Sequence, residues 1–217
     1  ASKVKRNGRK ANGSQNFYCQ ECRKQFQAEY KYVGANPKTQ RLAIDMTLHG
    51  SGIRDISHVL GLSPNSVVDK LRRHARKIKE PCYAADYQDV EVDEFWSFVN
   101  RRREQKRWVW YAYARNEKKI LAFHIGKRSK SACKSLFKKL DKTTVGKFYT
   151  DDYAAYAQVI PKEKHVVGKE HTTHIERLNR DFRTHLKRLV RRTVCHSRND
   201  EMHYLTIKMY IHHRNTS

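Results

Sequence analysis

Three acidic groups stand where a metal-dependent transfer of phosphodiester bonds would need them. Asp93 lies inside an apolar run, flanked by Val90, Val92, Phe95 and Trp96. A bare carboxylate in such a run is costly unless it is paired or bound to a cation. Its rival is Glu94, and strand alternation separates the two. Glu94 shares a face with Val90, Val92, Trp96 and Phe98, whereas Asp93 shares its face with Glu91 and Ser97. The more polar face favours Asp93 and leaves Glu94 as a local support or salt-bridge partner. Asp151 and Asp152 follow a second apolar run directly. Ligands of α/β sheets gather at the carboxyl ends of strands, so the nearer Asp151 is the candidate and Asp152 reads as a helix cap. Glu176 opens a long amphipathic segment, one position off the stripe Ile175, Leu178, Phe182, Leu186 and Leu189. Asn179, Arg180 and Arg183 follow it at i+3, i+4 and i+7, so a carboxylate, an amide and two cations share one helix face. Any one of these acids alone reads best as a solvated charge. Together they match the chemistry in which two hard cations about 4 Å apart clamp the attacking and leaving oxygens of a phosphodiester. Carboxylates are the preferred protein ligands of Mg²⁺, so two Mg²⁺ (or Mn²⁺) ions are expected at Asp93, Asp151 and Glu176. His171 and His174 read equally well as surface histidines or as helpers in phosphate contact and proton transfer.

The elements that would position these acids can be read from periodicity. Residues 90–99 alternate and are rich in Val, Phe and Trp; residues 107–115 and 118–126 continue the pattern across a link short enough for a hairpin. Residues 129–140 read as a helix, 145–149 as a strand, 152–157 as a short helix, 165–167 as a strand, and 173 to the end as helical. Three strands, helix, strand, helix, strand, helices is the order of a ribonuclease-H-like α/β domain with a mixed five-stranded sheet and flanking helices. Upstream, residues 37–80 read as helices. Pro37 starts the first, with Leu42, Ala43 and Met46 on its apolar side; Gly50-Ser51-Gly52 breaks it. Ile53, Ile56, Val59 and Leu60 mark a second. Gly61 turns the chain, and Ser63-Pro64 caps a third whose buried face is Val67, Val68, Leu71, Ala75 and Ile78. That is the pattern of a helix-turn-helix, with Asn65, Ser66, Asp69, Lys70, Arg72 and Arg73 on the outer face. Asn65 and Lys70 suit base edges, and Arg72 and Arg73 suit phosphates. A plain packing hairpin is the blander alternative.

The charge balance favours the first reading. The 217 residues carry 46 Lys and Arg against 22 Asp and Glu, a formal net charge of +24 spread through every segment. Such an imbalance is usually compensated by a polyanion, and double-stranded DNA is the expected partner. No apolar run approaches the length of a membrane span, and no signal-peptide pattern opens the sequence. The five cysteines are an odd, scattered set, Cys19, Cys22, Cys82, Cys133 and Cys195, unlike a secreted disulfide framework. An intracellular, nucleoid-associated location is expected. Cys19 and Cys22 have the spacing of one knuckle of a zinc ribbon, set among Phe17, Tyr18, Phe26, Tyr30 and Tyr32. A closed zinc site needs four ligands, so this Zn²⁺ reading is incomplete.

Several motifs together resemble the transposases of the insertion sequence one family. Tyr18-Cys19-Gln-Glu-Cys22-Arg23-Lys24 looks like the second half of that family's zinc ribbon. Val92-Asp93-Glu94-Phe95-Trp96 looks like its first catalytic strand, and Arg107-Trp108 with Tyr111-Ala112-Tyr113 like its second strand. Thr150-Asp151-Asp152-Tyr153 and His174-Ile175-Glu176-Arg177-Leu178-Asn179 look like its second and third acid motifs. The resemblance implies a DDE transposase with the triad Asp93, Asp151 and Glu176, separated by 57 and 24 residues. It implies binding of terminal inverted repeats and a homo-oligomer that pairs two ends. The apolar positions Met202, Leu205, Ile207, Met209 and Ile211 are candidates for that interface or for core. The implied organisation is a partial zinc-ribbon-like segment (1–35), a helix-turn-helix (36–80), a linker (81–86) and a ribonuclease-H-like catalytic domain (87–217). A non-catalytic repressor of element ends and a nuclease on the same fold are the alternatives.

Overall fold

The computed structural model describes residues 3–11, 13–28, 33–81, 83–100 and 106–217. Tyr30, Tyr32 and Cys82 fall outside the described residues. The chain opens with a small antiparallel sheet of β1 (Val4–Arg9), β2 (Gln15–Cys19) and β3 (Gln25–Gln27), in that spatial order. Phe17 and Phe26, opposite one another in register, stack with centroids 5.7 Å apart.

Three helices follow: α1 (Pro37–Leu48), α2 (Ile53–Leu60) and α3 (Pro64–Lys77). Local chemistry sets their ends. The Asn36 side chain accepts the Lys38 amide at 2.9 Å, and Pro37 occupies the first turn, where its missing N–H costs nothing. Ser63 caps α3 through the Ser66 amide at 3.2 Å. Gly61 terminates α2 with φ +60°, a left-handed conformation that glycine adopts without strain.

The second sheet has five strands: β4 (Asp86–Phe98), β5 (Lys106–Ala114), β6 (Lys119–Gly126), β7 (Thr144–Thr150) and β8 (His165–Val167). Their spatial order is β6-β5-β4-β7-β8. β4, β5 and β6 are antiparallel, while β4–β7 and β7–β8 are parallel. α4 (Lys130–Lys138), α5 (Ala154–Ala157), α6 (Thr173–His185) and α7 (Asp200–Thr216) flank it. This mixed α/β architecture is consistent with a ribonuclease-H-like domain.

Alternation assigns each face of the sheet a core. Val90, Val92, Trp110 and Ala112 pack against α4 and α5. Phe95, Val109, Tyr111 and Phe123 face α6 and α7, and their cluster runs on into Ala43, Ile56, Val67, Leu71 and Ala75 of the first three helices. Met202, Leu205, Ile207, Met209 and Ile211 of α7 are all buried in it, so they are core.

Three local expectations change. β4 begins at Asp86, which pairs with Thr144, so strand structure reaches back into residues read as a linker. Neighbouring residues are tied as well: Tyr83 O accepts Thr143 Oγ1 at 2.7 Å, and Glu80 pairs with Lys139 at 2.6 Å. The helical reading from 173 onward is interrupted between α6 and α7, where β-branched Val190, Thr193 and Val194 disfavour helix and Asn199 caps the next one. Asp152 is not the cap of α5. Tyr153 holds that position, and its amide donates instead to Asp151 Oδ1 at 3.1 Å.

Candidate active site

β4 carries three carboxylates within four residues, and each has different surroundings. Asp93 is half-buried in mid-strand. Its Oδ1 accepts the Glu94 amide at 2.7 Å, and its Oδ2 accepts Asn179 Nδ2 of α6 at 2.6 Å. The Asn179 oxygen in turn accepts the Tyr111 hydroxyl at 2.8 Å, and Tyr111 stands directly opposite Asp93 in register. Asp93 is pushed up to about 7, first by burial and then by the charge of Glu94, with Asp151 adding to the rise. The two hydrogen bonds oppose this without cancelling it.

Glu94 is 7% exposed on the other face. Arg128 Nε donates to it at 2.7 Å and the Tyr156 hydroxyl donates to its second oxygen. Burial raises its carboxyl, and these partners moderate the rise. It is the salt-bridge partner that alternation indicated.

Glu91 is a residue that sequence reasoning passed over. It is fully buried on the Asp93 face. Oε1 takes Arg115 Nε at 2.8 Å and His174 Nδ1 at 2.8 Å, and Oε2 takes the Ile175 amide at 2.7 Å. Arg115 also donates to the His171 carbonyl at 2.7 Å. One side chain therefore ties β4 to the first turn of α6, the helix that carries Glu176 and Asn179. Both of its oxygens are consumed, which suits an anchor better than a metal ligand. The available signal was Glu91 on the same strand face as Asp93, with Arg115 and His174 as its potential partners.

Asp151 follows β7 and is near enough to Asp93, Glu94 and Arg128 for its charge to act on all three. Glu176 is exposed on the first turn of α6, one turn before Asn179. The structure thus hydrogen-bonds Asp93 to Asn179 and brings Asp151 within electrostatic reach of Asp93. Among the described residues, no group of three or more His, Cys, Asp or Glu is drawn together closely enough to hold a metal ion. Asp93 and Asp151 nonetheless fit Mg²⁺ by donor chemistry: two hard carboxylates whose mutual repulsion a divalent cation would relieve.

Arg183 lies on the same side. Its guanidinium stands 5.2 Å from the Phe95 ring, and its Nε is buried with no hydrogen-bond partner. Burial and Arg191 lower its proton affinity. Arg180 is exposed. On α3, Asn65 and Arg73 are exposed, while Ser66 and Lys70 are half-buried. Arg72 is engaged within the protein, by Asp69 at 2.7 Å and by Glu201 of α7 at 3.4 Å. At the small sheet, Cys19 and Cys22 are free thiols. Hydrogen bonds from the Cys22 amide and thiol hold Cys19 below the usual thiol range. Among the described residues, no helix is long and apolar enough to cross a membrane.

Acids at the middle of one strand, the end of its parallel neighbour and the next helix in the chain are consistent with a nucleotidyl-transfer enzyme. Comparison with known proteins agrees. The family model described as IS1 transposase matches residues 89–216, and this chain belongs to that family. The iso-IS1n protein InsB of Shigella dysenteriae is 40% identical over 121 residues, covering 56% of this chain and 92% of the relative. InsB of insertion element IS1 from Shigella flexneri is 34% identical over 127 residues, covering 56% and 96%. InsB of IS1 4 from Escherichia coli (strain K12) is 35% identical over 127 residues, covering 56% and 75%.

Proposed function

We propose that this transposase binds the terminal inverted repeats of its element, cleaves a phosphodiester to free a 3′-OH, and joins that 3′-OH to target DNA. The observation that carries this reading is the 2.6 Å grip of Asn179 on Asp93 from the helix that bears Glu176, with Asp151 close enough for its charge to raise the Asp93 carboxyl. Asp93, Asp151 and Glu176 would hold two Mg²⁺ or Mn²⁺ ions, which supply Lewis-acid activation of the nucleophile and neutralise developing charge. Asn179 and Tyr111 orient the Asp93 carboxylate. Glu91 holds the first turn of α6, which carries Glu176, against β4, which carries Asp93. Arg180 and Arg183 offer cations to the DNA backbone beside the acids.

The helices α2 and α3 act as a helix-turn-helix, with Asn65, Ser66, Lys70 and Arg73 toward duplex DNA. Arg72 joins them when Asp69 and Glu201 release it. Cys19 and Cys22 supply half of a zinc site on a basic, aromatic sheet that adds to end binding. Two copies or more bring two ends together. The test is a joining assay with element-end duplex, plasmid target and Mg²⁺, in which Asp93→Asn abolishes joined product. Cleavage without joining would instead favour a nuclease, and binding with neither product a repressor.

A further inference from the structure

The DNA reading above leaves one surface beside the acids without a role. The geometry points to a stacking platform there: an alternating stripe of aromatic rings and cations that receives unpaired bases of the strand next to the scissile phosphate. This inference rests on the proposed action on DNA.

β4 parts from β7 after the pair Glu91–Tyr149, and the next bridge on that side joins Val99 to Ser197. Among the described residues, positions 92–98 therefore pair only with β5, and Asp151, just past the end of β7, lies within electrostatic reach of Asp93 and Glu94 on this part of β4. On the face that carries Glu94, rings and cations alternate along the stripe. Arg128 stands 4.0 Å from the Tyr153 ring and 5.0 Å from the Trp108 ring. Trp108 is opposite Trp96 in register. Lys106 and Arg191 stand 5.1 Å and 5.7 Å from the Trp96 ring.

Burial distinguishes this stripe from core. Trp110, one register step inward, is fully buried, whereas Trp96, Trp108 and Tyr153 stay half-exposed, and Lys106 and Arg191 are exposed. Half-exposed tryptophans flanked by cations forgo part of their burial energy. They gain a surface that suits a nucleobase, whose π face stacks on an aromatic ring or guanidinium plane while its phosphate meets a neighbouring cation. Paired duplex DNA offers only base edges and phosphates, so the stripe selects unpaired nucleotides. Arg128, held by Glu94 beside Asp151, links the platform to the acids.

The test compares a blunt duplex with the same duplex carrying a short unpaired flap that contains 2-aminopurine, both bound to the full chain without metal. The expected result is about tenfold tighter binding of the flap substrate. All 3 tryptophans of the chain (Trp96, Trp108 and Trp110) stand on this face. Quenching of their emission by the flap alone therefore reports stacking. Trp96→Leu should lose the flap preference and Trp96→Phe should keep it. Should Trp96→Leu fail to fold, Arg191→Gln and Lys106→Gln, at exposed positions, should reduce the preference. Equal affinity for flap and blunt duplexes, or a preference unchanged in all these variants, would overturn the platform. A wild-type protein that joins strands yet shows no flap preference would defeat the platform alone. One that binds the flap but neither cleaves nor joins would defeat the transposase reading alone.

Discussion

Asp93, Glu94 and Glu91 show how one strand gives three carboxylates three tasks. Solvation and partners decide. Glu94 is matched by Arg128 and Tyr156, and Glu91 by Arg115, His174 and a backbone amide, while Asp93 has only neutral donors and two acidic neighbours. The least compensated carboxylate is the one poised for a cation. Glu91→Ala leaves Arg115, whose side chain is 23% exposed, without its anion. It should destabilise the fold by about 3 kcal/mol in urea denaturation; a loss below about 1 kcal/mol would show that the clamp is peripheral. His203 gives a pH-dependent counterpart. It is fully buried between the hydroxyls of Ser97 (2.9 Å) and Ser197 (3.0 Å), and burial followed by the nearby Arg188 pushes it down to about 3. The native state therefore keeps it neutral while the unfolded chain protonates it near its ordinary value. Its contribution is complete above about pH 6.5 and is lost as pH falls toward about 3, at up to about 1.4 kcal/mol per pH unit. Denaturation midpoints of His203→Gln should fall less steeply than those of wild type between about pH 6 and pH 4; parallel profiles would rule the histidine out as a source of acid sensitivity.

At the scale of elements, Pro37 and Ser63 mark the starts of α1 and α3 in the sequence, and the alternation in β4 puts Asp93 and Glu94 on opposite faces. These are local signals, carried by neighbours in sequence. Glu91 was not legible because its partners lie 24 and 83 residues away, and only the fold reveals that its oxygens are used up. The small strands β1 and β3 were equally silent: β1 is exposed along its whole length and has no buried face to alternate with. The fate of Arg72 and Arg76 also depends on tertiary contact. Both pair with Glu201 of α7, at 3.4 Å and 2.5 Å, which draws the end of α3 onto the body of the protein. Glu201→Gln should leave stability nearly unchanged, since these pairs are partly exposed. It should also tighten DNA binding and steepen its salt dependence by freeing Arg76 for phosphates and releasing Arg72 from one of its two anions. Unchanged affinity and salt slope would mean that these arginines do not reach DNA.

For the whole molecule, the first three helices do not stand apart, since Ile56, Leu71 and Ala75 share one apolar cluster with Phe182, Leu205 and Met209. If these helices read DNA as proposed, their common core with the rest of the protein would fix the distance between a bound end and the acids. The formal charge of +24 supplies a general attraction for a polyanion, while Asp93 and Glu94 sit where β4 has parted from β7. The order of elements was legible because periodicity changes sharply from helix to strand near residue 86, and the parallel insertion of β7 between β4 and β8 follows from the crossover through α4. The most direct test remains the joining reaction with element-end duplex, plasmid target and Mg²⁺, using wild type and Asp93→Asn of equal fold and equal end-binding affinity. The account predicts metal-dependent joined product from the wild type and a loss of at least about a thousandfold in the variant. Joining by Asp93→Asn at the wild-type rate would contradict it.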